Sequence, residues 1–380
     1  MQDYPVQLLT DMLSIYSPSG KEKAISDFLT KELTTLGFRV KKDGIGNVIA
    51  EIGQGEPTIL LCGHMDTILG NLPVSFENHK LYGTGAVDAK GPLAAMIVAA
   101  ATLARESALN AKILLVGAVE EEATSRGIKH VIKNGVKADY AVFGEPSGVE
   151  NITIGYKGGI NLRITCKTET GHSSSPWFYE NALEKAFDLW QHLKATYPPV
   201  EKQESPFKAV TACLVKMTGG RGDSKVPSES KMRIDIRVPP QFTAKQVFRV
   251  FEGVIKQWQE ANPKVKVKVA IMDQNEAFEV AKNSVLVKSM AYAIRKVLDK
   301  PATLLRKTGT GDMNILGRAI SIPIVTYGPG DSHLDHTRDE NIDVREYLQG
   351  IEVYKETILK LTELHNKQLN GNCNGQPATK

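Results

Sequence analysis

Three consecutive glutamates, Glu120, Glu121 and Glu122, follow an apolar run in the segment "VGAVEEEATSRG". Neighbouring carboxylates repel one another, and removing them from water costs free energy unless cations offset their charge. Two interpretations are open: the strand ends in solvent, or the glutamates belong to a site that holds more than one positive charge. The residues that follow the other strand-like runs bear on this choice.

Polar residues also follow the other apolar runs that we predict to be buried strands. In an α/β sheet, ligands bind beyond the carboxyl ends of the strands, so residues at these ends can converge. Each residue alone is a weak signal, because single histidines and aspartates are common in turns and loops. Together they come from five segments, and the set consists of His64, Asp66, Asp88, Glu120, Glu121, Glu122, Glu145, Asp331, His333, Asp335 and His336.

The chemistry of this set indicates metal binding. It mixes histidine nitrogen with carboxylate oxygen and contains no thiolate, which suits Zn²⁺, Co²⁺ or Mn²⁺. The number of carboxylates indicates two ions, which in hydrolytic sites lie about 3.5–4 Å apart and share a bridging carboxylate. Two divalent cations would offset the charge of the three glutamates. A glutamate that binds neither ion could act as a general base toward water.

The elements that must position these residues alternate along the N-terminal third of the chain. The runs "NVIAEI", "TILLCGH", "AKILLVGAV" and "ADYAVFGEP" predict strands, and "GPLAAMIVAAATLARES" predicts a buried helix. Their order indicates a layered α/β domain with a mostly parallel central sheet. Ser19 and Glu22 in "SPSGKE" have the spacing of a capping box, which predicts a helix from Lys21 to Leu36.

The middle of the chain has a different order of elements. The pattern β-α-β-β-α-β within residues 157–274 is that of a ferredoxin-like unit. We therefore predict a catalytic domain in two parts, 1–156 and 275–366, with a ferredoxin-like α+β domain of residues 157–274 inserted between them. The polar tail 367–380, rich in Gly and Asn, is predicted to be disordered.

Composition restricts the class of protein. With 42% hydrophobic and 24% charged residues, the chain is typical of a globular protein. The longest apolar stretch, Pro92–Ala104, is too short to span a bilayer, and no secretory signal is recognised. There is no CxxC spacing, and Cys62, Cys166 and Cys213 are interpreted as core residues of a cytoplasmic protein. We predict neither a membrane nor a nucleic acid as partner.

Basic charge is concentrated in the middle segment. Residues 155–273 contain 19 Lys and Arg against 12 Asp and Glu, a net charge of +7, whereas the whole chain carries +4. Such a segment indicates either an acidic partner or an ordinary solvated surface.

Seven polar motifs lie along the chain: "GHMDT", "GTGAVDAKGPLAA", "EEEATSRG", "GEPSG", "GHSSSP", "DIRVPP" and "GPGDSHLDHTRDENI". Taken in order, they resemble the M20 family of cocatalytic metallopeptidases and amidohydrolases. The resemblance covers nearly the whole chain except the tail. It implies a metal-dependent hydrolase of amide bonds with two divalent ions per subunit, Zn²⁺ or Co²⁺.

The resemblance implies which residues hold the two metal ions. His64 and Glu145 would complete the first ion, and Glu122 and His336 the second. Asp88 would bridge the two ions, and the peptide bond that follows Asp88 would be cis.

The resemblance also implies the residues that act beside the metals. Glu121 would be the general base, and Asp66 would orient the ring of His64. Glu120 receives no chemical role, and His333 is expected to lie outside the ligand set.

The inserted domain matches the lid of the family, which also forms its homodimer contact. His172 in "GHSSSP" would reach across the dimer to stabilise the oxyanion of the tetrahedral intermediate. The segments "KTGTGDMN" and "DIRVPP" would contact substrate, with Thr310, Gly311 and Arg237 as the candidate residues.

Within the family, the motifs look most like the branch that releases lysine or ornithine from a carrier protein. In that branch the amino acid is attached to the γ-carboxyl of the C-terminal glutamate of a small acidic amino-group carrier protein, in lysine and arginine biosynthesis. A basic inserted domain would suit such a substrate. Three alternatives stay open: a small-molecule deacylase for acetylornithine, acetyl-lysine or succinyl-diaminopimelate, a dipeptidase, and a non-catalytic protein that binds amino acids or peptides.

Overall fold

The computed structural model describes residues 4–198 and 200–373. Within them the chain forms two compact units. Among these residues, the first unit comprises 4–155, 280–305 and 311–373, and the second comprises 156–198, 200–279 and 306–310. Residue 156 and the segments 275–279 and 306–310 thus belong with the second unit, whereas the sequence pattern places them in the catalytic part.

The described residues contain helices and strands in alternating order. The helices are α1 (Tyr4–Ser14), α2 (Lys23–Thr35), α3 (Lys90–Arg105), α4 (Arg126–Lys133), α5 (Ala182–Lys194), α6 (Ala244–Ala261), α7 (Val285–Leu298), α8 (Asp312–Ala319) and α9 (Val344–Cys373). The strands are β1 (Arg39–Lys42), β2 (Val48–Ile52), β3 (Thr58–His64), β4 (Ser75–Glu77), β5 (Lys80–Tyr82), β6 (Lys112–Ala118), β7 (Tyr140–Phe143), β8 (Asn151–Tyr156), β9 (Gly158–Lys167), β10 (Thr211–Gly219), β11 (Glu229–Val238), β12 (Lys266–Asn275), β13 (Phe278–Glu279), β14 (Thr303–Lys307), β15 (Ile324–Thr326) and β16 (Asn341–Asp343).

The first unit is built on a mixed sheet with the strand order β1-β2-β6-β3-β7-β15-β8. The central strands β6, β3, β7 and β15 are parallel, whereas β1, β2 and β8 pair with their neighbours in antiparallel fashion. The α/β class is confirmed, but the sheet is parallel only at its centre. Because β3, β6 and β7 run in the same direction, the residues that follow them meet at one edge of the sheet.

Burial explains why the central strands read as uninterrupted apolar runs. In β3 and β6 every residue after the first is buried, since helices cover both faces of a parallel sheet. Helix α3 is buried along most of its length and packs against α1, α9 and β3. A buried apolar core therefore supports the edge where His64 and the three glutamates emerge.

The second unit contains a four-stranded antiparallel sheet with the strand order β10-β11-β9-β12. Helices α5 and α6 pack against this sheet and enclose an apolar core that includes Leu162, Ile234 and Phe251. Cys213 is exposed, so its interpretation as a core residue was wrong. It lies on β10, an edge strand of this sheet, where its side chain stays outside the core.

Helix α9 continues to Cys373, beyond the predicted start of the disordered tail at residue 367. The remainder of that tail, 374–380, lies outside the described residues. Among the described helices, none combines the length and apolar character needed to cross a membrane.

Candidate metal centre

Asp88 contacts two histidines that come from distant parts of the sequence. His64, the last residue of β3, places Nε2 at 3.1 Å from Asp88 Oδ1. His336 places its own Nε2 at 3.1 Å from Asp88 Oδ2. The Asp88–Ala89 peptide is cis, as the family resemblance implied. Each oxygen of one carboxylate therefore faces the nitrogen of a different histidine, which is the arrangement that a bridging ligand requires.

Glu122 lies beside this group. Its Oε1 is 2.8 Å from Nε2 of His336. Donor atoms of His64, Asp88 and Glu122 all lie within 4.8 Å of one another. Nitrogen and oxygen donors this close form a donor set that fits Zn²⁺ or Co²⁺.

The electrostatics of the centre are those of a crowded acidic site. Burial and the charge of Asp88 raise the pKa of Glu122. Burial works to raise the pKa of Asp88 as well, but contacts with His336 and His64 hold it well below its usual range. The contact with Asp88 and the charge of Glu122 raise the pKa of His336 to about 9, although partial burial opposes the shift. Cations would relieve the repulsion among these carboxylates, so the residues fit a metal-binding role.

Glu121 is half-buried and lies next to the donor set. Burial and the charges of Glu145 and Asp312 raise its pKa well above the usual value. A Cβ atom at Gly311 would come within 3.2 Å of Glu121 Oε1, so the glycine lets the backbone approach this carboxyl group. Burial works to lower the pKa of the His64 imidazole, but contacts with Asp66 and Asp88 and the charge of Glu145, two residues after β7, raise it well above its usual value.

The carboxylate of Asp66 hydrogen bonds mainly to groups other than His64. His64 Nδ1 lies 2.8 Å from the main-chain oxygen of Asp66, whereas the nearer carboxylate oxygen is 3.5 Å away. The carboxylate accepts the backbone N–H groups of Glu121 and Glu122, each at 3.1 Å, and the hydroxyl of Ser19 at 2.7 Å. Burial favours a higher pKa, but the interaction with His64 and these donors lower the pKa of Asp66.

Two buried charged residues near the centre were missed from the sequence. The carboxylate of Glu340 accepts backbone N–H groups of Gly85, Val87 and Asp88 at 3.0–3.1 Å. Lys90 donates to the main-chain oxygens of Met12 and Ile15 at 3.1 and 2.7 Å, which ties α3 to the end of α1. Glu340 lies in the quoted "TRDENI", yet nothing in its own spacing distinguishes it from a surface glutamate.

Other members of the predicted set lie outside the donor group. The side chain of His333 is 93% exposed and contacts Asp331, not the metal ligands. The Glu120 carboxylate forms an ion pair with Arg126 at 2.8 Å and accepts the Thr124 hydroxyl at 2.6 Å. Neither His333 nor Glu120 therefore contributes a donor atom to this group.

Three of the predicted substrate or oxyanion residues belong to the second unit. His172 is exposed, and its Nδ1 lies 2.8 Å from the hydroxyl of Ser174. Arg237 pairs with Asp235 at 2.8 Å and donates to the hydroxyl of Thr310 at 3.3 Å. Arg237 and Thr310 thus form one polar pair, and His172 lies in the loop that follows β9.

Comparison with known proteins identifies the family. A profile of peptidase family M20/M25/M40 matches residues 60–360. The chain is 34% identical to a LysW-lysine/LysW-ornithine hydrolase of Saccharolobus solfataricus, over 95% of this chain and 96% of that protein.

Solved structures share the fold. Aminopeptidase PepT from Bacillus cereus superimposes with a TM-score of 0.81 at 21% identity, over 95% of this chain and 99% of that chain. A Bacillus subtilis protein described as a dinuclear metal binding peptidase from the M20 family gives a TM-score of 0.69 at 14% identity, over 95% and 98% of the two chains. The chain described here belongs to peptidase family M20/M25/M40 and is an amide-bond hydrolase.

Proposed function

We propose that this protein is a binuclear metal-dependent hydrolase that releases L-lysine, L-ornithine or both from the C-terminal γ-glutamyl group of an amino-group carrier protein. The observation that carries the chemistry is Asp88, whose two carboxylate oxygens face His64 and His336 at 3.1 Å each. The substrate class is supported by the name of the relative from Saccharolobus solfataricus, a LysW-lysine/LysW-ornithine hydrolase.

The metal ligands in this proposal follow the family pattern. His64 and Glu145 would hold one ion, Glu122 and His336 would hold the other, and Asp88 would serve both. Two divalent ions bound there, Zn²⁺ or Co²⁺, would polarise the scissile carbonyl and lower the pKa of a water molecule. Burial and the neighbouring charge of Asp88 raise the pKa of Glu122, and bound cations would offset both effects.

Glu121 acts as the proton carrier of the reaction. It accepts a proton from the attacking water, whose oxygen bonds to the carbonyl carbon of the amide. When the C–N bond breaks, the same carboxyl group returns the proton to the departing amine. Glu121 lies beside the donor set of His64, Asp88 and Glu122 without belonging to it, which suits a carboxyl group that shuttles a proton.

The second unit supplies the remaining groups in this proposal. We assign it as a ferredoxin-like lid of residues 157–274, a choice supported by its β-α-β-β-α-β order and its antiparallel strand order. The lid also forms a homodimer, and His172 of one subunit stabilises the oxyanion in the other. Arg237 and Thr310 contact the substrate, as does Gly311, which belongs to the first unit. A cytoplasmic location is part of the same proposal.

The carrier protein is recognised by charge. Residues 155–273 carry a net charge of +7, whereas a carrier of the proposed kind is small and acidic. Opposite charges on two partners raise the rate of encounter and suppress association with basic proteins.

The test uses purified protein and two substrates, a lysyl adduct of an acidic carrier protein and a small N-acetyl amino acid. We expect release of free lysine from the carrier adduct. A chelator should abolish this activity, and added Zn²⁺ or Co²⁺ should restore it. Preference for the small substrate by kcat/KM would replace the carrier protein with a small-molecule deacylase reaction. Absence of metal binding would overturn the proposed chemistry.

A further inference from the structure

The segment "SPSGKE", residues 17–22, does not cap a helix as its spacing predicted. Helix α2 begins at Lys23, its N-cap residue is Glu22, and no side chain makes a capping hydrogen bond. The side chains of Ser19 and Glu22 instead form hydrogen bonds with groups around the three glutamates. The function described so far gives this segment no role.

The segment is attached to the loop that follows His64. The N–H of Thr67 donates to the oxygen of Ser17 at 3.0 Å, and the N–H of Ser19 donates to the oxygen of Thr67 at 3.2 Å. The hydroxyl of Ser17 donates to the oxygen of Met65 at 2.9 Å. Residues 17–19 therefore pair with residues 65–67 through a parallel β-bridge between Pro18 and Thr67.

Two carboxylates join this segment to the glutamate turn, residues Glu120–Glu122. Asp66, which is fully buried, accepts the N–H groups of Glu121 and Glu122, and the hydroxyl of Ser19 holds the same carboxylate at 2.7 Å. Glu22, only 6% exposed, accepts the N–H of Glu120 at 3.1 Å and that of Gly20 at 2.8 Å. Three successive N–H groups of the turn thus donate hydrogen bonds to buried carboxylates.

The glutamate turn needs such support because its backbone is unusual. Glu120 has a φ of +58°, in the left-handed region that L residues rarely adopt. A residue held there is strained and persists only where its surroundings fix it. This turn directs Glu121 and Glu122 to different tasks in the proposed reaction, so a small relaxation would displace both side chains.

We infer that Ser19 and Glu22 are positioning residues that fix the glutamate turn, Ser19 through Asp66 and Glu22 directly, in a role that rests on the proposed function. Neither side chain belongs to the donor set around Asp88. Both residues act on the turn through its backbone N–H groups. These groups need acceptor oxygens at the correct distance, and the acceptors do not have to be charged.

Two variants of Glu22 separate the effect of side-chain length on kcat from the effect of charge. Glu22→Gln keeps an acceptor oxygen at the same distance and loses the charge, whereas Glu22→Asp keeps the charge and is one methylene too short. We expect Glu22→Asp to lower kcat by roughly 10–100-fold, which is the usual cost of replacing a residue that orients metal ligands. Glu22→Gln should retain most of the wild-type kcat. Glu22→Asp as active as Glu22→Gln would overturn the role of Glu22.

Ser19→Ala removes the donor to Asp66, and Ser19→Thr retains a hydroxyl. The matched control is Ser26→Ala, which removes another serine hydroxyl of the same region, one that donates to the oxygen of Gly46 at 2.8 Å. Ser19→Ala is expected to lower kcat more than it changes KM, with recovery in Ser19→Thr. Ser26→Ala should lower the melting temperature and leave kcat near wild type.

The visible absorption spectrum of the protein loaded with Co²⁺ provides a readout that does not depend on turnover. Movement of Glu122 should change this spectrum in Ser19→Ala and Glu22→Asp, and not in Ser26→Ala. Unchanged spectra and kcat, with only a lower melting temperature, would reduce both residues to a structural role. If the wild-type protein cleaves no amide substrate, the proposed function fails, whereas the cobalt spectrum still tests the positioning of the turn.

Discussion

The backbone N–H of Asp88 donates to Oε1 of Glu340 at 3.1 Å, across more than half the length of the chain. The same carboxylate accepts the N–H groups of Gly85 and Val87 at 3.0 Å each. Glu340 is 2% exposed and comes four residues after His336 in the sequence. One buried side chain therefore fixes the loop that presents Asp88 to both histidines.

Replacing Glu340 should weaken both the fold and the metal centre. Glu340→Ala leaves buried N–H groups without an acceptor, a cost of about 1–3 kcal/mol per group, and frees the loop of Asp88. We expect a lower melting temperature and a metal affinity reduced by roughly 10–100-fold. Glu340→Gln keeps one acceptor oxygen, so its melting temperature and metal affinity should lie between those of Glu340→Ala and wild type. Metal affinity equal to wild type in a folded Glu340→Ala protein would contradict this role.

Glu121→Gln should abolish turnover while metal stays bound. The amide has nearly the shape of the carboxyl group but cannot accept the proton of water, and general base catalysis contributes roughly 10²–10⁴-fold. The measurements are kcat and the metal content of the same preparation. Near wild-type turnover in a metal-loaded variant would exclude Glu121 as the base, and loss of metal would indicate that Glu121 and Glu122 exchange their roles.

Some of the centre could be predicted from the sequence because its residues follow local patterns. His64 ends an apolar run that predicts a buried strand, and Glu121 comes shortly after another such run. Parallel neighbours bring these ends together without further information. The motifs around Asp88 and His336 added the rest through the family resemblance.

The supporting residues could not be predicted, because their roles depend on backbone groups that are distant in sequence. Glu340 accepts N–H groups from a loop near residue 85, and no spacing in the sequence encodes that contact. Ser19 and Glu22 did give a signal, but their i, i+3 spacing indicated a capping box. The local pattern was right about hydrogen bonding and wrong about the partners, because the tertiary contacts with Asp66 and Glu120 prevailed.

Lys157 should make the stability of the protein rise with pH in a defined window. It is a fully buried lysine of the second unit whose ammonium group donates to the oxygens of Pro206 and Ala209. Burial, helped by the charge of Arg237, lowers its pKa from 10.5 to about 8.

Between about pH 8 and 10.5 the unfolded chain holds this proton more tightly than the folded protein, so raising the pH favours folding. Denaturant unfolding of wild type and Lys157→Met at pH 7, 8, 9 and 10 tests this. The stability of wild type relative to the variant should increase across this window. The exposed Lys194→Met provides the control, and an equal pH dependence in all three proteins would contradict the prediction.

The proposed dimer predicts complementation between two inactive variants. If His172 acts in the site of the other subunit, His172→Ala mixed with Glu121→Gln should form heterodimers in which one site combines an intact Glu121 with an intact His172. Activity should then rise above that of either variant alone once subunit exchange has been demonstrated. Exchange without any gain in activity would show that His172 does not act across the dimer.

Salt dependence distinguishes the carrier protein from a small substrate. The Debye length is about 10 Å at 0.1 M ionic strength and shrinks as salt is added, so long-range attraction between a basic enzyme and an acidic protein is screened. The net charge of +7 in residues 155–273 should contribute to encounter with the carrier and much less to encounter with a small acyl amino acid.

We therefore expect kcat/KM for a lysyl or ornithyl adduct of the carrier to fall steeply between low and high salt, mainly through the association rate. Hydrolysis of the small substrate uses the same metals and the same Glu121, so it controls for any effect of salt on the centre itself. Charge reversal at exposed lysines of the second unit, such as Lys264→Glu with Lys266→Glu, should reduce the salt dependence for the carrier alone. Equal salt dependence for both substrates would mean that the basic segment is an ordinary solvated surface.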